Sequence, residues 1–191
     1  FILFAITPED NWFVIDYKCQ SGLLTEEHGK LILESLDFYE KQGLNTSNVP
    51  IYCGHDLWNH LGNISTRADD LQAVLRNRAS LIEADRDRKQ AISAIHNKFK
   101  HSKEQEPQLF FFKNAEQVFN VTRSMQIDQR DPEDVAKQDA DEFGRGGDDL
   151  FDAFKAGVLT RMTKPFEVKK VNPNSGEYLI NQILNKPGGF V

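Results

Sequence analysis

Residues 1–18 read FILFAITPEDNWFVIDYK: two runs of β-branched and aromatic residues around a Thr-Pro-Glu-Asp-Asn turn. Such side chains suit a pleated surface, and the turn residues suit a tight reversal, so the stretch predicts a β-hairpin. Beyond it, helix and strand periods alternate. Thr25 with Glu26 and Glu27 behind it opens a helix, and Leu31, Ile32, Leu36 and Tyr39 recur at helical spacing until Gly43. VPIYCG (49–54) is a short apolar run of strand type, TRADDLQAVLRN (66–77) is helical, and ASLIEA (79–84) is a strand. DRDRKQAISAIHNKF (85–99) puts Ile92, Ile95 and Phe99 on one helix face, PQLFFFK (107–113) is a strand, and AEQVFNVTRSM (115–125) is a helix. A hairpin followed by alternating strands and helices predicts an α/β fold, a mixed β-sheet flanked by helices on both faces.

The pattern then dissolves into the polar stretch DQRDPEDVAKQDADEFGRGG (128–147), which reads as a loop, before a last helix from Asp148 to about Thr160. Residues 1–160 thus form one domain, and residues 161–191, with Pro165, Pro173 and Pro187, read as a C-terminal extension or arm. Within that arm, Leu179, Ile180, Ile183 and Leu184 have the spacing of a short amphipathic helix that docks on the core or on a partner. No apolar run is long enough to span a membrane and no secretory leader opens the chain, so a cytosolic protein is expected. Cys19 and Cys53 lack CxxC partners, which argues against a zinc knuckle or a disulfide scaffold, and Cys53, His55 and His60 lack a second ligand pair. No GxxxxGK[ST] loop for ATP phosphates is present.

Net charge is −6, but it is unevenly placed: −6 over 1–64, +3 over 65–124, −6 over 125–155 and +3 over 156–191. Acidic segments between basic ones suit a cation site beside a phosphate-binding surface, or simply mixed solvated faces. In RGGDDLFDAFKAG (145–157), three carboxylates, Asp148, Asp149 and Asp152, fall within five positions at one end of an apolar helix. The helix macrodipole favours carboxylates in the first turn by ~0.3 to 1 kcal/mol each, which accounts for Asp148 and Asp149. Asp152 lies beside Leu150, Phe151 and Phe154, where a carboxylate needs a partner, and a hard divalent cation is one. Asp56 directly follows the strand VPIYCG, at the rim where ligand sites gather in such sheets, although a turn-capping Asp reads the same way.

In order, LIEA with Asp87-Arg88 and QAISAI, then LFFFKNAEQVF, DPEDV (131–135) and DDLFDAFKAG resemble the nuclease domain of the large terminase subunit of tailed bacteriophages. Upstream, IYCGHDLWNHLG resembles that family's strand bearing an Asp before Leu-Trp-Asn, and the opening hairpin is similar to its second and third strands. The resemblance covers roughly residues 1–160 and implies an RNase H-like fold with the first strand, and the catalytic Asp it carries, missing from the chain. A fragment is then expected, with Asp16 or Asp10 as the alternative stand-in. At the last helix Asp149 stands where many relatives have His, Lys155 where Arg is usual and Ala156 where Tyr is usual.

The resemblance further implies a metal-dependent DNA endonuclease that cuts concatemeric viral DNA during genome packaging, through two-metal phosphodiester hydrolysis, with the fragment itself active or inactive. It assigns Asp56, Asp149 and Asp152 as catalytic and Asp56, Asp148, Asp149 and Asp152 as ligands of two Mg²⁺ or Mn²⁺ ions, leaving open which of the last three binds. Double-stranded DNA, the portal ring and the small terminase subunit are the implied partners, in the host cytoplasm and transiently at the procapsid. Arg86, Arg88, Lys89, Lys98, Lys100 and Lys103 form a basic stretch for phosphate contacts, or a solvated face with ion pairs such as Asp85 to Lys89. Two rivals remain. Asp16-Tyr17-Lys18 matches the D-x-K core of a restriction-type nuclease, with Glu9 or Asp10 too close to complete it, and a noncatalytic nuclease-like module would dock on a packaging motor or portal.

Overall fold

The computed structural model describes residues 1–60, 65–102, 105–131, 134–138 and 147–163, so the arm from residue 164 onward lies outside the described residues. The opening hairpin forms as expected. Strand β1 (Ile2–Ile6) pairs antiparallel with β2 (Trp12–Tyr17), with a register shift between Leu3 and Phe4. Helix α1 (Thr25–Lys41), β3 (Val49–Cys53), α2 (Arg67–Leu75), β4 (Ala79–Glu83) and α3 (Arg88–Phe99) follow. The described chain then runs through β5 (Leu109–Phe111), α4 (Glu116–Ser124) and α5 (Asp149–Thr163), with short 3₁₀ turns at His55–Trp58 and Lys113–Ala115. The molecule is a mixed α/β protein.

The strands make two sheets where one was expected. β1, β2 and β5 form a mixed sheet in the order β1-β2-β5, with β2 and β5 parallel, while β3 and β4 pair in parallel as a separate ribbon. Alternation along β2 explains its central position. Trp12 and Val14 enter a core shared with α3, α4 and α5, and Phe13 and Ile15 enter a second core built on α1 and α2. A strand buried on both faces cannot show the polar alternation of a half-solvated one, and WFVIDY does not. Gly29 on α1 permits the close approach of α2, since a Cβ there would lie 2.7 Å from Val74 Cγ1.

Capping sets two helix starts that matter for the site. Thr66 and Asp69 form a reciprocal capping box at the start of α2. Asp87 caps α3, its Oδ1 accepting from the Gln90 N–H at 2.9 Å, which is why the helix begins at Arg88 and not at Asp85. Helix α5 packs on α3, α4, β1 and β3. Its Thr160 is fully buried and its hydroxyl accepts the Asp85 N–H at 2.8 Å, tying the far end of α5 to the β4–α3 junction.

Candidate metal and nucleic-acid site

Three of the motif segments, the Asp87-Arg88 pair, the described part of 131–135 and the start of α5, meet at Arg88. From the first turn of α3, its Nε donates to both carboxylate oxygens of Asp134, at 3.0 and 2.7 Å, and its Nη2 reaches the Val135 carbonyl at 3.5 Å. Nη1 lies 3.7 Å from Asp152 Oδ1 on α5. Next to it, Lys89 pairs with Asp131 at 3.0 Å. The described part of the DPEDV segment is therefore clamped to the start of α3. An isolated bridge between Ile127 and Val135 and the Asp128 N–H to Asp134 O bond of 2.9 Å give the segment its shape, and Pro132 and Glu133 lie outside the described residues.

Asp152 has its partner within the chain. Lys155, one helical turn on and 6% exposed, donates to Asp152 Oδ1 at 2.5 Å and lies over the Phe151 ring at 5.6 Å. The i, i+3 spacing brings them together. Burial disfavours the Arg88 charge, but the Asp134 hydrogen bond and the charges of Asp152, Asp134 and Asp148 outweigh it and hold the guanidinium above its ordinary pKa. Burial likewise raises the Asp134 carboxyl, yet hydrogen bonds from Arg88 and the Val135 N–H, with the nearby charges of Arg88 and Lys155, bring it below the usual carboxylate value.

The other acids are placed differently. Asp148 immediately precedes α5, its N–H donates to Gln138 O at 3.0 Å, and its Oδ2 is buried without a hydrogen-bond partner among the described residues. Asp149, at the first position of the helix, is exposed. Asp56 sits exposed in the 3₁₀ turn after β3, with its side chain folded back so that a Cβ on Gly54 would lie 2.6 Å from its Oδ1. No hydrogen bond or ion pair joins Asp56 to α5, and no group of three His, Cys, Asp or Glu side chains suited to a metal occurs, among the described residues. His55 and His60 are exposed on the same loop, and the Cys53 thiol is pushed up to about 11, chiefly by burial.

A divalent cation can be tested against these positions. The buried oxygen of Asp148, unpartnered among the described residues, and the exposed carboxylate of Asp149 next in the sequence are hard donors of the type that fits one. Asp152, already neutralised by Lys155 and Arg88, does not fit as a first ligand.

Both stand-ins for a first catalytic Asp are engaged by the chain's own donors, Asp16 buried and Asp10 exposed. Asp16 is 8% exposed and accepts from the Ser35 hydroxyl at 2.6 Å and the Tyr17 N–H at 2.9 Å, with Lys18 Nζ 3.1 Å away. Those bonds satisfy the D-x-K pair within the fold. Asp10, at the hairpin tip with φ of 65°, binds the Trp12 indole N–H at 2.6 Å and Lys98.

The basic stretch needs one correction and several qualifications of place. Lys98 is 5% exposed, ion-paired with Asp10 and 5.0 Å from the Trp12 ring centroid, so it anchors the hairpin and does not face a phosphate backbone. Arg88 and Lys89 hold the 131–135 segment, and Arg86 pairs with Glu83 at 2.5 Å. Lys100 is exposed with no ion pair among the described residues, and Lys103 lies outside them. Sequence reasoning missed that these cations are engaged, because the partners of Arg88 and Lys98 lie 46 and 88 residues away. No family model, curated protein or solved structure matches the chain.

Proposed function

We propose that this chain is the RNase H-like nuclease portion of a phage terminase large subunit, a divalent-metal-dependent DNA endonuclease acting in genome packaging. The observation that carries the reading is the convergence at Arg88. The Asp-Arg pair, the DPEDV segment and the acidic start of α5, which resemble that family's motifs in order, also meet in space through Arg88, Asp134 and Asp152. The metal would supply an activated water and charge stabilisation at the phosphodiester. Asp148 and Asp149 would hold it, with Asp56 as a further ligand and the two-ion complement being the family expectation alone, since the described residues bring no third donor to the α5 start. Arg88 and Lys155 would position Asp152 and hold the α5 start against α3.

A second reading, the noncatalytic docking module, is favoured by one observation: Asp152, on the first turn of α5, is paired with the chain's own cations. Plasmid nicking separates the two. With Mn²⁺ the parent is expected to convert supercoiled to open-circular DNA, EDTA to stop it, and Asp56→Ala and Asp148→Asn to reduce it at least ~100-fold, as expected when a metal ligand is lost. An inert parent that still binds Mn²⁺ calorimetrically supports the docking module. Equal cutting by parent and variants would refute the site assignment.

A further inference from the structure

The edge strand β5 and helices α3 and α4 enclose a cavity of about 160 Å³, far from a drug-sized volume of ~300 Å³ or more but roomy enough for one planar ring system. Its lining is aromatic, with Phe99, Phe110, Phe111, Phe112 and Phe119 contributing and Glu116 as the charged member. Phe99 and Phe111 lie nearly parallel, centroids 5.9 Å apart and planes 11° off, and Phe119 lies 5.4 Å from Phe111. All five rings are partly buried.

One cation lies against a lining ring, and two more adjoin lining residues in the sequence. Lys100 follows Phe99, Lys113 follows Phe112, and the Arg123 guanidinium lies 5.8 Å from the Phe119 centroid. All three are exposed, and none makes an ion pair among the described residues. That sets them apart from Arg86, Arg88, Lys89 and Lys98, each of which is neutralised by a carboxylate.

We infer that this cavity takes one base of a single-stranded nucleic acid, with Lys100, Lys113 and Arg123 on the flanking phosphates. Aromatic faces for bases next to unpaired cations for the backbone are what single-strand binding requires. A duplex keeps its bases stacked on each other and cannot offer a ring to the slot. A purely apolar peptide would use the rings but leave the three charges without a role. Glu116 accepts from a base N–H edge, for which the cytosine amino group is the natural donor. The inference concerns binding and stands apart from cleavage, so it is tested with metal chelated.

The experiment is fluorescence anisotropy of the full chain with a labelled oligo-dC, and with a duplex of equal length, in EDTA at low salt. Tighter binding of the single strand is expected. Phe119→Leu should weaken it at least ~5-fold, the loss of one stacked base, and leave duplex binding unchanged. Lys100→Ser with Lys113→Ser, exposed sites that leave the fold intact by circular dichroism, should reduce the slope of log K against log salt by about 1.4, two phosphate contacts at ~0.7 each. Arg86→Ser should bind as the parent does. No preference for single strand over duplex, or parent-like binding by both the Phe119 and the lysine variants, would overturn the inference. So would dimerisation through Phe119, seen by light scattering, in place of oligonucleotide binding.

Discussion

Two regions of this molecule carry its concentrated chemistry, and they handle charge in opposite ways. At the α3–α5 junction, Arg88 and Lys155 are matched by Asp134 and Asp152, so the charges hold protein to protein and little remains for a ligand apart from Asp148 and Asp149. At the β5 edge, rings cluster around a cavity and the nearby Lys100 and Lys113 face solvent without ion pairs among the described residues. A raw count of lysines and arginines would have pointed to the junction. The pairing pattern points to the edge, because an ion-paired cation must give up one partner to gain another.

The strongest test of how separate the regions are is Phe154. It is fully buried on α5, stacked on Phe4 at 5.9 Å and tilted against Phe111 at 5.7 Å, so the helix that starts at the junction also packs, within two turns, against the core behind the edge. Phe154→Ala should cost ~3–5 kcal/mol by urea unfolding and disturb both regions. Arg88→Ala is next. It leaves Asp134 without its Nε–H donor and ion-pair partner at a half-buried position, where a loss of about 2 kcal/mol is expected, between the ~3–5 of a buried pair and the ~1 or less of an exposed one. Anisotropy with oligo-dC should be unchanged in Arg88→Ala. Loss of single-strand binding there would mean that the two regions act as one surface.

Much of the fold was legible because local periods dominate it. The hairpin, α1 and α3 lie within a few residues of where apolar spacing and capping residues put them. The split into two sheets was not legible, since nothing in VPIYC or ASLIE says which strand lies alongside. Strand β5 is three residues long because PQLFFFK is interrupted by the 3₁₀ turn that starts at Lys113. In the site, the Asp152–Lys155 pair was readable from its spacing. The Arg88–Asp134 and Lys98–Asp10 pairs were not, because they join segments that only tertiary folding brings together. The acidic stretch lies at the start of a helix as its pattern predicts, while its distant partners were not readable.

The gentlest perturbation is acid. The folded-state pKa of Asp134 lies below its unfolded value of ~3.9, so the folded chain binds fewer protons there and the group adds stability above about pH 4. That contribution declines as pH falls from about 4 through the depressed folded value. Rings at the β5 edge carry no charge and have no such dependence. Hydrogen exchange as pH is lowered from about 6 to 3, corrected for the intrinsic rate, should show amides of 134–138 and the start of α5 opening before those of β2 and β5. In Arg88→Gln, where Asp134 keeps only the Val135 N–H of its two hydrogen-bond donors from the clamp, the acid step should shrink. If β5 opens with the junction at the same pH, the clamp is not a local device and the contrast between the regions fails. If the step persists in Arg88→Gln, its source is another carboxylate, with the Lys98-bound Asp10, also held below its usual value, the first to examine.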